Sequence, residues 1–368
     1  MAARGLCAIL TIMLGAAARR PLPPNVELQR ARAPAEIMRA VREHAGSLSP
    51  AAASFALLRA ASALKQPRHD AERAAIAGSA DTLLVARAVA QGVTNASTAV
   101  IALRALALLG WRADRSTGAK AACVLDKLAA RACAPGELTI AEQTAVEWAA
   151  CKLHLTLPTP PTVSAQLAAL PFRVLSGVCV AVPYETLEAE LRPHLRRELI
   201  ALRDSRGERL VPEARLTGWQ SRAGVPFSYS GKSMAPNVPD GGQFAAVRDT
   251  LRALSGIEYD SCLVNLYEHG KVGMRYHQDP DQGTLWSTDT HVASFGCTRA
   301  FVLRRTADHA LHHEFTLQHG DVVHMFGACQ AEYQHCVRVE RDEADAGPRI
   351  SLVFKQSLCP SRRTYRHH

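Results

Sequence analysis

Between residues 259 and 356 the chain breaks into short apolar-alternating runs: Cys262 to Tyr267, His291 to Phe295, Ala300 to Arg304, His313 to Leu317, Asp321 to Met325, Tyr333 to Val337 and Arg349 to Phe354. Turn signals such as His319-Gly320-Asp321 separate them. Runs of this length and period read as strands, and their spacing suits a double-stranded β-helix, the two-sheet jelly roll.

Within that stretch lies Tyr276-His277-Gln278-Asp279. On an extended segment, residues two apart point to one face, so His277 and Asp279 can act together. His335, in the run Tyr333 to Val337, supplies a second histidine from another strand. Two histidines and one carboxylate hold non-haem Fe(II) and leave coordination positions open. Arg349 opens the last run. A buried guanidinium there would clamp a carboxylate bidentately, as a dicarboxylic cosubstrate requires. The residues therefore point to an oxygenase that uses Fe(II), 2-oxoglutarate and O2, with His277, Asp279 and His335 as metal ligands and catalytic centre.

Residues 215–356 also resemble the AlkB family of nucleic-acid oxidative demethylases. The resemblance rests on Asn265-Leu266-Tyr267, His277-Gln278-Asp279-Pro280-Asp281, Ser294-Phe295-Gly296-Cys297-Thr298-Arg299-Ala300-Phe301, His319-Gly320-Asp321 and His335, in family order. It implies that Asn265 and Tyr267 contact 2-oxoglutarate and that Asp281 helps to read the damaged base. It also implies that Trp219 and Tyr229 form an aromatic lid over that base. Trp219 reads equally well as a strand residue filling the core, and Asp281 as a solvated turn residue. One departure stands out: where the family carries a second Arg, this chain has Lys355, and Ser351 replaces the family Asn. Both positions are expected beside the cosubstrate, Lys355 without the planar fork of arginine.

The N-terminal half has another character. Residues 27–155 are rich in Ala and Leu and helical by periodicity. Ser49 to Arg59, Thr94 to Arg104 and Thr139 to Ala149 align at an offset of 45 residues (94 − 49 and 139 − 94), the length of a helix-pair repeat. Ser49 and Thr94 stand where helix N-caps would be. The fold class expected is thus α+β and multidomain, with all-α repeats ahead of the jelly roll. Leu157-Pro158-Thr159-Pro160-Pro161-Thr162 marks a linker over 156–170, and residues 171–358 form the oxygenase domain, opened by Pro171 to Leu175 and a helix near Glu185 to Leu202.

Charge is uneven: 24 Lys and Arg against 16 Asp and Glu in residues 1–205, and 19 against 18 in residues 206–368. The excess sits in the helical half, which suits a polyanionic partner but also ordinary solvated helix faces. The ten cysteines form no C-x-x-C pair and read as reduced, buried thiols in a reducing compartment. Residues 1–20 carry Arg4, an apolar stretch from Leu6 to Leu14 and a small-residue segment before Arg19-Arg20. They read as a signal or transit peptide, hence an organellar address in mitochondrion or plastid, with nucleus or cytoplasm as the alternative. No stable membrane association is expected, and a monomer is. His312-His313 and the pair in the basic tail, residues 359–368, read as surface histidines.

The function these features support is oxidative demethylation of single-stranded DNA or RNA. The alternatives are an oxygenase acting on a protein side chain and a helical RNA-binding protein with a vestigial oxygenase domain.

Overall fold

The computed structural model describes residues 27–358, apart from 29, 45–46, 114–117, 135, 160, 205–206 and 341–345. The leader expected over 1–20 and the basic tail over 359–368 lie outside the described residues. Among them no helix is long and apolar enough to cross a membrane.

The helical half contains α1 (Pro34–Glu43), α2 (Pro50–Ala63), α3 (Asp70–Ala77), α4 (Ala80–Gly92), α5 (Ala96–Leu108), α6 (Gly118–Ala132) and α7 (Ile140–Leu153). The three aligned segments fall on α2, α5 and α7, and α5 packs between the other two. Each starts on a side-chain cap. Ser49 Oγ accepts from Ala52 N, Asn95 Oδ1 from Thr98 N, and Thr139 closes a capping box with Glu142. The cap of α5 is Asn95 rather than the expected Thr94, because its carboxamide reaches the third helical N–H at 2.8 Å.

The remainder is rich in antiparallel sheet. Its strands are β1 (Phe172–Leu175), β2 (Leu199–Asp204), β3 (Gly207–Pro212), β4 (Leu216–Ser221), β5 (Phe227–Tyr229), β6 (Lys232–Met234) and β7 (Ser261–Tyr267). They continue with β8 (Met274–His277), β9 (Thr290–Gly296), β10 (Arg299–Arg305), β11 (His312–Leu317), β12 (Val322–Met325), β13 (Tyr333–Val337) and β14 (Arg349–Lys355). A six-stranded sheet runs β1-β12-β9-β14-β7-β4, and a four-stranded sheet runs β11-β10-β13-β8. All the runs expected as strands between 259 and 356 are strands here. The expected helix near Glu185 to Leu202 stops at Leu191, and Leu199 onward is β2. Pro193 explains the break, since it has no N–H to extend the helix.

Side-chain alternation gives the six-stranded sheet two faces. Cys262, Val264, Leu266, Ile350, Leu352 and Phe354 share a core with Leu187 of α9 (Tyr184–Leu191, with α8 at Pro161–Ala168 before it) and with Phe244, Val247 and Leu251 of α10 (Gly242–Ser255). Leu263, Tyr267, Val292 and Val353 belong to the other core, which also holds Phe301 and Leu303 of the four-stranded sheet. The residues that matter chemically, Asn265, Arg349, Ser351 and Lys355, lie on the same face as that second set.

That core runs on into the helices without interruption, from Leu28 through Leu103 and Trp148 to Val353. The segment expected as a linker over 156–170 carries α8, which packs on α7. In turn α7 lies along β11, where Phe172 of β1 meets His313, Phe315 and Tyr333 at ring-centroid distances of 5.0, 6.2 and 5.3 Å. Lys152 Nζ donates to both oxygens of buried Asp321 at 2.7 Å. The helices are therefore built onto the sheets. A chain starting at residue 161 would expose this aromatic cluster, and circular dichroism melting of such a fragment should show no cooperative transition.

His313 is fully buried, contrary to its expected place in a surface pair; only His312 is exposed. Thr144 Oγ1 donates to Ala141 O, so it accepts from His313 Nδ1–H at 2.9 Å. That leaves Nε2 buried with no partner. Burial pushes the imidazole down to about 4. With the folded value below the unfolded one, this contact contributes fully above pH 6.5 and loses strength as pH falls from 6.5 towards 4. His313→Phe should remove about 3 kcal/mol of the acid sensitivity between those limits, read as the difference in urea stability against wild type.

Candidate metal centre and anion clamp

The pairing of β8 with β13 places His277 directly opposite His335. Their rings lie 4.1 Å apart, and Phe301 of β10 stacks on His335 at 5.5 Å. Asp279 follows two residues beyond the end of β8. Gln330, on the short helix Cys329–Glu332, fixes it by accepting from Asp279 N at 2.9 Å. One ligand atom from each of His277, Asp279 and His335 lies within 4.8 Å of the others, the one such cluster among the described residues.

Protonation suits a metal. His277 Nδ1–H donates to Arg275 O at 2.9 Å, which leaves the Nε2 lone pair towards Asp279 Oδ1, 3.6 Å away. Burial, reinforced by His277, pushes His335 down to about 3, so that ring is a neutral ligand. For Asp279, burial opposes ionisation, but Lys355 and the two histidines outweigh it and hold the carboxyl well below its usual range.

Lys355 accounts for much of this. Its Nζ lies 2.7 Å from Asp279 Oδ2, and the side chain is fully buried. The sequence placed it beside the cosubstrate with Arg349. In the structure its ammonium backs the metal-side carboxylate, six residues along β14 from Arg349, a place that would also border the keto-acid end of a cosubstrate held at the triangle.

Arg349 is 1% exposed. Nη2 donates to Ser294 Oγ at 2.8 Å, while Nε and Nη1 are buried without a hydrogen-bond partner. Its guanidinium carbon lies 5.2 Å from the Tyr267 ring centre. Burial pulls the guanidinium down to about 10, and the nearby Arg299 adds to the effect. A buried cation with open donors is built for an anion. Asn265, Tyr267 and Ser351 surround it in strict register: Tyr267 faces Arg349 across the β7–β14 ladder, and Asn265 faces Ser351. Asn265 Nδ2 donates to Ser351 Oγ at 3.3 Å, and Asn265 Oδ1 accepts from Arg215 Nε at 2.7 Å.

Arg215 and its neighbours were not legible as site residues. Glu213, 1% exposed, accepts from Arg215, Lys232 and the Tyr229 hydroxyl at 2.7, 2.7 and 2.8 Å. Tyr229 is thereby tied into a charge network behind Asn265, and burial raises its phenol far above the ordinary value. No spacing rule links residues 213, 215 and 232, which is why only the fold reveals the group.

Two other expected substrate residues sit differently. Trp219 is fully buried, stacked on Phe227 at 4.6 Å, with Nε1 donating to Val225 O. It fills the core and offers no face to a base. Asp281 is exposed, at φ +57°, and its carbonyl accepts from Leu285 and Trp286 in a turn just past Asp279.

The sequence profile of the 2OG-Fe(II) oxygenase superfamily matches residues 206–355. An uncharacterized protein of Acanthamoeba polyphaga mimivirus is 33% identical over 189 residues, which covers 50% of this chain and 93% of that protein. Human alpha-ketoglutarate-dependent dioxygenase alkB homolog 3 is 28% identical over 151 residues, 39% of this chain and 51% of that one. The DNA oxidative demethylase ALKBH2 of Bos taurus is 24% identical over 150 residues, 38% and 52% respectively. The chain thus spans about half the length of these mammalian relatives. The chain belongs to the 2OG-Fe(II) oxygenase superfamily. Within it, the chain is AlkB-like, a dioxygenase whose family uses Fe(II), 2-oxoglutarate and O2.

Proposed function

We propose that this chain oxidatively demethylates bases in single-stranded nucleic acid, with its two sheets acting as the halves of a jelly roll. The observation that carries the reading is an N,N,O triangle together with a buried guanidinium whose donors are open, with β14 carrying Arg349 at one end and Lys355, the partner of Asp279, at the other. His277, Asp279 and His335 would hold Fe(II), and Arg349, with Asn265, Tyr267 and Ser351 beside it, would hold 2-oxoglutarate. When bound, this pair with O2 supplies the oxidant that hydroxylates an N-methyl C–H bond, and the hydroxymethyl group then leaves as formaldehyde.

The chain's own residues prepare that chemistry. Lys355 keeps Asp279 ionised. Arg275 O fixes the tautomer of His277. Phe301 packs on His335 and keeps water from that side of the ring. Asp281, exposed two residues past the carboxylate ligand, would accept from an exocyclic amine. Extruding a base from a duplex costs a few kcal/mol, and with Trp219 in the core the expected lid cannot recover it, so unpaired strands are the favoured substrate. The mammalian demethylases it resembles support a nucleic-acid substrate. Formaldehyde release from oligonucleotides bearing 1-methyladenine or 3-methylcytosine should exceed that from methylated peptides. The reverse order would move the chemistry to a protein substrate.

A further inference from the structure

The helical half has no role in the site described so far, yet one of its ends reaches the cosubstrate clamp. After α2 the chain turns at Leu64, and Gln66, fully buried, is inserted against the turn between β9 and β10. Its Nε2 donates to Thr298 O at 3.1 Å, and its Oε1 accepts from Thr298 N at 2.9 Å. Thr298 Oγ1 donates to Lys65 O at 2.8 Å, and Lys65 Nζ pairs with Glu340 at 2.8 Å, three residues past the end of β13. Thr298 is itself buried. A side-chain amide that satisfies both backbone groups of one residue fixes that residue's position as a strand neighbour would.

The turn lies directly on the residues that present Arg349. Cys297 N donates to Pro348 O at 3.0 Å, and Gly296 is the ladder partner of Arg349. Gly296 adopts φ +82°, and a Cβ there would come within 2.6 Å of Pro348 O. Backbone therefore rests on backbone, and any shift of Thr298 passes to residues 348 and 349 with nothing soft between.

We infer that Gln66 is a positioning residue for the anion clamp: the helical half braces the β9–β10 turn so that Arg349 meets the distal carboxylate of 2-oxoglutarate. The inference rests on the reading of Arg349 given above. It assigns the helices a part in cosubstrate affinity that an appended nucleic-acid-binding module would not have.

The test compares full-length Gln66→Met, which keeps the side chain's length but not its amide, with Thr144→Val, which cuts a different contact between helices and sheet. The first readout needs no cofactor. Amide hydrogen exchange at Cys297 and Thr298 should quicken about tenfold or more in Gln66→Met, as for the loss of one to two hydrogen bonds, and stay at the wild-type rate in Thr144→Val. The second is kinetic: Gln66→Met should raise the KM for 2-oxoglutarate about tenfold with kcat at saturation within about twofold, the pattern of lost ground-state binding. Should Gln66→Met not fold, Thr298→Val removes only the hydroxyl bond to Lys65 O and should shift both readouts the same way, about threefold. Unchanged exchange at these amides, or an unchanged KM in a folded variant with faster exchange, overturns the brace. If wild type consumes no 2-oxoglutarate, the oxygenase reading fails on its own, while the exchange result still reports on the brace.

Discussion

Arg349→Met is expected to weaken 2-oxoglutarate by about 2–5 kcal/mol, the cost of leaving one member of a buried charge pair alone. That corresponds to a KM increase of roughly 30-fold or more. The size follows from the site: the guanidinium is buried, Nη2 is held by Ser294, and Nε and Nη1 have no hydrogen-bond partner. The protein without cosubstrate should lose little, because methionine fills the space and removes a desolvated cation. Steady-state kinetics in 2-oxoglutarate, with thermal melting alongside, checks both halves of the statement. An unchanged KM would show that another group holds the carboxylate.

His277→Ala should reduce Fe(II)-dependent succinate formation by more than about 100-fold, beyond what changes to residues supporting a metal ligand usually cost. Its imidazole is partly exposed, so the fold should tolerate the loss. Asp279→Ala is expected to behave differently. It abolishes turnover but also strands Lys355, a fully buried cation, and should cost about 3–5 kcal/mol of stability. The double change Asp279→Ala with Lys355→Met should restore the stability and not the activity. Chemical denaturation read beside turnover separates these effects. Activity surviving in His277→Ala would remove the histidine from the centre.

What the sequence revealed was what depends on period and spacing. Strand alternation placed β7 and β9 to β14, and the i, i+2 rule joined His277 to Asp279, because both are local geometry. The helical character of the aligned segments on α2, α5 and α7 was visible for the same reason. The pairing of Lys355 with Asp279 was not legible, because a position in a motif says nothing about which end of a 7-residue strand its ammonium serves. Trp219 was read both as a lid and as core, and only burial decides between them. His313 looked like half of a surface pair because nothing local announces that α7 would cover it. The Glu213–Arg215–Lys232 network and the Gln66 contact join residues up to 232 positions apart, which only tertiary packing brings together.

In the proposed function the histidine–carboxylate triangle and Arg349 hold the two ends of one molecule. Titrating 2-oxoglutarate calorimetrically under anaerobic conditions, into Fe(II)-loaded protein and into metal-free protein, tests this most directly. One molecule should bind per chain when metal is present, with an affinity at least about 100-fold lower without it, since the second attachment is then lost. Equal affinity in the two titrations would contradict it, for the clamp and the triangle would then not share a ligand.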